Sequence, residues 1–176
     1  MLLFTERCTR DDARTDTTPA GSVSLPFELR QRSRLRVETT TGRLAGSVVG
    51  FDLPRGTILR DGDRVRCASG EVLRIDAATE SLVHVVAESP RALARLAYHL
   101  GNRHVPVQVG DGWLRLQADP VLEAMVAGLG AVPVRVEAPF EPEAGAYGHG
   151  GHAHPHGADG RHAPQIHDLL ADHARK

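Results

Sequence analysis

The chain is poor in features that mark several functional classes. Aromatic residues make up only 4% of it, which argues against base-stacking platforms and large aromatic-lined pockets. Lys and Arg number 21 against 22 Asp and Glu, so no global charge points to nucleic acid or an anionic membrane. No apolar run approaches the ~20 residues that a membrane span requires. The N-terminal Met1-Leu2-Leu3-Phe4 meets Glu6 and Arg7 at once, leaving no signal-peptide apolar region. There are two cysteines, Cys8 and Cys67, and no CxxC; without a secretory leader they are expected as reduced thiols in a cytoplasmic protein. A phosphate-binding GxxxxGK[ST] loop, a GxSxG elbow, an HExxH pair and paired carboxylates in an apolar setting are all missing, so no catalytic constellation is present and an enzyme is not expected.

What the chain does have is histidine. Of ten, seven (His149, His152, His154, His156, His162, His167 and His173) fall within the last 28 of 176 residues. Four of them, His149, His152, His154 and His156, stand within eight residues with no carboxylate between them. Neutral imidazole suits Ni²⁺, Zn²⁺ and Cu²⁺, and a flexible chain can fold several rings around one ion. The surrounding Pro, Gly and Ala provide almost no apolar surface to offset ordering entropy. Residues 139–176 are therefore expected to form a disordered, His-rich, metal-binding tail.

The rest divides by its grammar into an α+β body. Over residues 1–78, short Val-, Leu- and Ile-rich runs alternate with turn signals at Thr41-Gly42, Leu53-Pro54-Arg55-Gly56, Asp61-Gly62-Asp63 and Ser69-Gly70, which predicts a small all-β barrel or sandwich without a helix. Over residues 79–138 the pattern becomes strand, helix, strand, strand, helix, strand. Ser89-Pro90 and Asp119-Pro120 each supply an N-cap followed by proline at the first helical position, and Gly101 and Gly130 supply the stops. Leu93, Leu96, Ala97 and Leu100 mark the inner face of the first helix, and Leu122, Met125, Val126 and Leu129 that of the second. Strands are predicted at Ser81–Ala87, Val105–Val109, Trp113–Gln117 and Val132–Glu137. This order is that of a ferredoxin-like βαββαβ domain.

Two further constellations are candidates for binding. Arg30, Arg32, Arg34 and Arg36 recur at every second residue; on a strand they would share one face, either as a docking surface for an acidic partner or as a solvated edge protected by charge. His104 follows Gly101 and precedes Val105, Val107 and Val109, and strand alternation would turn it away from those valines. By itself such a corner histidine reads as structural more readily than as ligating. His84, inside an apolar strand, and His99, off the helix stripe, read as a sheet residue and a solvated residue.

Several segments resemble one family. LPFELRQRSRLR from Leu25, LPRGTILRDGDRV from Leu53, AYHLGNRHVPVQV from Ala97 and PFEPEAGAY from Pro139 are similar to the UreE family of urease accessory metallochaperones, over about residues 22–156. Gly101-Asn102-Arg103-His104 with Val105-Pro106 is the most specific part. The resemblance implies a β-rich, peptide-binding-like N-terminal domain, a ferredoxin-like metal-binding domain and a homodimer. Its main nickel site would use His104 from each subunit, with tail histidines filling the remaining positions. It also implies Ni²⁺ as transported cargo, and apo-urease with its accessory proteins, including the maturation GTPase, as partners. Peripheral histidines that some members carry before the second helix are absent from Leu116–Pro120. The alternatives are a general nickel, zinc or copper buffering protein and, in different classes, a nucleic-acid-binding ferredoxin-like module or a small hydrolase on that fold. The last two would need exposed strand aromatics or an anion-cradling loop, which Val105–Val109 and Ala87–Pro90 do not supply.

Overall fold

The computed structural model describes residues 1–8 and 17–144. The histidines from His149 onward lie outside the described residues.

The N-terminal half is one hydrogen-bonded sheet. Its elements are β1 (Leu3–Cys8), β2 (Gly21–Leu25), a one-turn helix α1 (Phe27–Arg30), β3 (Arg34–Glu38), β4 (Thr41–Gly42), β5 (Val48–Asp52), β6 (Arg64–Cys67) and β7 (Val72–Ala77). The seven strands run in the order β3-β5-β1-β6-β7-β2-β4, with β1–β5 and β2–β7 parallel and the other pairs antiparallel. Alternation works as the sequence implies: in β6 Val65 and Cys67 are buried while Arg64 and Arg66 are half-buried. Phe4, Val23, Phe51, Leu59, Leu73 and Ile75 form the centre of the core, with Phe4 and Phe51 meeting edge to face at 6.0 Å. Both cysteines are buried, with no disulfide between them, and Cys67 Sγ lies 3.0 Å from Ser69 Oγ.

The C-terminal half comprises β8 (Thr79–Val86), α2 (Pro90–Gly101), β9 (Gln108–Gly110), β10 (Trp113–Gln117), α3 (Pro120–Gly128) and β11 (Pro133–Pro139). Its four-stranded sheet has the order β11-β8-β10-β9, antiparallel throughout. The predicted helix starts are present: Ser89 accepts a hydrogen bond from the Ala92 amide, and Asp119 accepts from those of Val121 and Leu122. Val83, Val85, Leu114 and Leu116 pack against Leu96, Leu100 and Val126 of the helices. Register places Leu82, His84 and Val86 of β8 on the other face, beside Gln117, Arg115 and Trp113 of β10.

Three expectations need correction. The strand predicted over Val105–Val109 forms only from Gln108, because Pro106 has no amide to donate to a ladder and His104 takes a positive φ of 55°. The N-terminal half does contain a helical turn, started by Pro26, whose carbonyl accepts from the Leu29 and Arg30 amides. The chain also does not leave the body at residue 139. Phe140 is fully buried with Phe27 and Leu82 in a small core between the halves, its ring 5.6 Å from that of Phe27 and nearly perpendicular to it. Among the described residues no helix is long and apolar enough to cross a membrane.

Candidate metal centre

His104 is displayed by the end of α2. Leu96 and Leu100 anchor the last turns in the core. The Arg103 amide then donates to the Leu100 carbonyl and the His104 amide to that of Gly101, both at 3.0 Å. This tight finish leaves His104 in the left-handed region, where β-carbon crowding disfavours most L-residues but histidine is among the more tolerant. Immediately afterwards Val105 and Val107 turn into the second core, while Pro106 stays exposed. The imidazole is therefore exposed, on a backbone fixed from both sides.

Around it lies a depression of about 460 Å³. Phe27, Gln31 and Ile58 of the first half, Ala97 and residues 104–107 of the second, and Glu143 and Ala144 all line it. Tyr98, 66% exposed, and Val109, 47% exposed, add uncovered apolar surface on α2 and β9. No group of three His, Cys, Asp or Glu side chains suited to a metal exists among the described residues. Among the described residues the depression thus holds a single imidazole and no complete ligand set.

The other histidines of the body are not brought to it. His84 lines a separate depression with Val86, Arg95 and Val134. Its ring is 5.2 Å from that of Trp113, and its Nδ1 accepts a hydrogen bond from Arg115 Nε at 3.2 Å. Burial, and then the Arg115 charge, push its pKa below the ordinary 6.5. His99 packs edge-on against Tyr98 at 5.4 Å and does not line the His104 depression. Whether His149, His152, His154 and His156 approach His104 falls outside the described residues.

The arginine row does not share one face. Arg30 sits on α1 and is completely buried, its guanidinium donating to the carbonyls of Leu25 and Leu59 at 3.2 Å, to the Phe140 carbonyl and to the Glu141 carboxylate. It has no surface on which to dock a partner. Arg32 pairs with Glu28 one turn earlier, and Arg34 pairs with Asp52 at 2.8 Å. Only Arg34 and Arg36 keep the predicted alternation, on β3, with Leu35 and Val37 turned toward the first core. The alternation is interrupted because Pro26 starts a helical turn over Phe27–Arg30 instead of a strand.

Sequence reasoning missed residues 140–144, which it assigned to the tail. Phe140, the one large apolar side chain between Val136 and Tyr147, was the available signal.

Comparison with known proteins finds matches along both halves of the chain. The family model described as the UreE urease accessory protein N-terminal domain matches residues 4–78, and that of the C-terminal domain matches residues 80–167. A urease accessory protein UreE from Ectopseudomonas mendocina is 49% identical over 152 residues, covering 85% of this chain and 89% of its own. One from Azotobacter vinelandii is 47% identical over 172 residues, covering 96% and 98%. One from Burkholderia vietnamiensis is 50% identical over 139 residues, covering 79% and 67%.

Proposed function

The chain belongs to the UreE urease accessory protein family, and from that premise we propose that it is a nickel carrier which captures Ni²⁺ and hands it to apo-urease during maturation. Members are accessory chaperones rather than enzymes, and the role in urease maturation follows from the family. The carried ion, the ligands, the dimer and the cytoplasmic location are our reading.

One observation carries it. Among the described residues His104 is the one imidazole lining the depression, on a backbone fixed from both sides beside uncovered apolar surface, and no group of three candidate ligands surrounds it. A two-fold axis through that surface converts one histidine into two facing ligands and covers Tyr98 and Val109 in the same step. Histidine ligands without thiolates suit a carrier, since they exchange more readily than a closed cysteine cage. They would hold Zn²⁺ or Cu²⁺ as well. Tail imidazoles at His149, His152, His154 and His156 capture the ion, the His104 pair holds it, and the maturation machinery, including its GTPase, receives it.

The β8-α2-β9-β10-α3-β11 order supports a ferredoxin-like second domain, and the family resemblance implies a first domain of the peptide-binding type. We divide the chain at 78/79, and the body continues past residue 138 through Phe140 and Glu143.

Calorimetric titration of the dimer with Ni²⁺ tests the proposal. One tight ion per dimer is expected in the native chain, and its loss in His104→Ala. Retention of that ion by His104→Ala refutes the shared site.

A further inference from the structure

Among the described residues each sheet ends in two edge strands, β3 and β4 in the first and β11 and β9 in the second. Three of these edges offer little to a further strand. β4 is only two residues long. In the second sheet the Ala87 amide donates to the Gly112 carbonyl and the Ala118 amide to the Ser81 carbonyl, which fixes the alternation of bonded pairs across its strands. That alternation leaves β9 with only the Val109 backbone turned outward. On β11 it turns out Pro133, Arg135, Glu137 and Pro139, and the prolines have no amide to donate. β3 differs. The Leu53 amide donates to the Ser33 carbonyl and the Thr39 amide to that of Ser47, so Leu35 and Val37 make the bonds to β5. The backbone groups of Arg34, Arg36 and Glu38 then all face outward, with no strand beside them and neither proline nor bulge among them. Their side chains are exposed. Arg34 is held by Asp52, whereas among the described residues Arg36 and Glu38 enter no ion pair.

We propose that β3 is an interface for a second copy of this chain, the two strands joining antiparallel across a two-fold axis at Val37. This register sets Arg36 of each copy opposite Glu38 of the other, and each such pair exchanges both of its backbone bonds. Opposite charges directly across a ladder are favoured and like charges disfavoured. Moving the axis to residue 36 sets Arg36 against Arg36, and moving it to residue 38 sets Glu38 against Glu38. The edge is therefore self-complementary in one register, where a row of like charges would repel every copy. Val37, half-buried at the rim of the first core, meets its own counterpart on the inner face. The contact is one short strand with exposed ion pairs, so it forms at higher protein concentration than association through the apolar surface at Tyr98 and Val109. It does not rest on the nickel reading. A chain that uses both two-fold faces builds assemblies larger than a dimer.

The test is sedimentation of the metal-free, full-length chain carrying Tyr98→Asp and Val109→Lys, which removes the other face, from about 10 μM to about 1 mM. A monomer–dimer step is expected, and the Arg36 and Glu38 amides should exchange with solvent several-fold more slowly at the upper concentration. Arg36→Glu and Glu38→Arg should each weaken the step at least about tenfold, because each creates like-charge pairs across the axis. The two together restore opposite charges and should recover association to within about threefold of the starting chain. No step up to about 1 mM, or one indifferent to Arg36→Glu, overturns the proposal. So does failure of the exchanged pair to restore it. A chain that stays monomeric, yet slows exchange at Arg36 and Glu38 when given an extended peptide with Glu and Arg two residues apart, assigns the edge to another partner and also overturns it. Should the Tyr98→Asp, Val109→Lys background fail to fold, the same charge variants are read in the native chain by the exchange of those two amides.

Discussion

The two halves treat apolar surface differently. Among the described residues nine large apolar side chains are exposed, and only Met1, Leu3 and Val48 belong to the first half. Val86, Tyr98, Val109, Val121, Val132 and Val134 belong to the second, although it has four strands to the other's seven. The first half closes its sheet over one core. The second covers one face of its sheet with two helices, and the other only in part, where Leu82 meets Phe27 and Phe140. The lesson is about where function sits: the finished half braces, and the unfinished half carries the exposed histidine. Apolar surface left around a potential ligand is surface available to a partner.

The largest effect is expected where the halves meet. Phe140→Ala deletes a fully buried ring that packs against both, and about 3–5 kcal/mol of unfolding free energy should be lost in a denaturant titration. A loss below about 1 kcal/mol, the range of an ordinary substitution, would show that the halves stand without this joint.

The exposed surface gives the next test. Replacing Tyr98 by Asp and Val109 by Lys should leave the folded chain intact but weaken self-association by at least about tenfold, or ~1.4 kcal/mol, in sedimentation experiments. Val48→Lys, on an equally exposed valine of the first half, should leave association unchanged. Equal effects at the two places would remove the contrast between the halves.

How much of this was legible in the sequence follows the range of the signals. The βαββαβ order was readable because Ser89-Pro90 and Asp119-Pro120 are local start signals that need nothing distant. The four predicted turns were readable for the same reason, and Gly42, Gly56, Gly62 and Gly70 all take positive φ. Arg30 shows the limit. Its identity in the row came from spacing, but its burial depends on carbonyls of Leu25, Leu59 and Phe140, the last 110 residues away. No local pattern reports an acceptor that far along the chain. His104 lies between these cases: the helix end beside it was legible, but its left-handed backbone was not, and its ligand reading came from family resemblance rather than from spacing.

That backbone supplies a smaller and opposite effect. At φ 55° His104 is held in a region that glycine enters without penalty, so His104→Gly should raise unfolding free energy by about 0.5–1 kcal/mol while removing the tight nickel ion. A variant that gains stability and loses metal would mark a position kept for its side chain against the preference of its backbone. If His104→Gly destabilised the chain instead, the ring would be supporting the fold and the ligand reading would weaken.

The smallest effect concerns His84, the histidine that the second half has absorbed into its sheet. Arg115 Nε donates to its Nδ1, so the ring must keep a lone pair there and carry its proton on Nε2. Burial and the Arg115 charge lower its pKa relative to 6.5. The folded chain therefore binds this proton less readily than the unfolded chain, and stability must rise with pH across the interval between the two values. The contribution is fully present above about 6.5 and is lost as the pH falls from there through the lower, folded value. His84→Gln retains an acceptor but does not titrate. Metal-free native and variant chains, unfolded by denaturant between about pH 7.5 and 5, should diverge on the acid side, with the native chain losing more stability. Parallel curves would mean that His84 titrates alike in both states and that its contacts with Trp113 and Arg115 do not hold the neutral ring. In that event the contrast between His84 and His104 would rest on exposure alone.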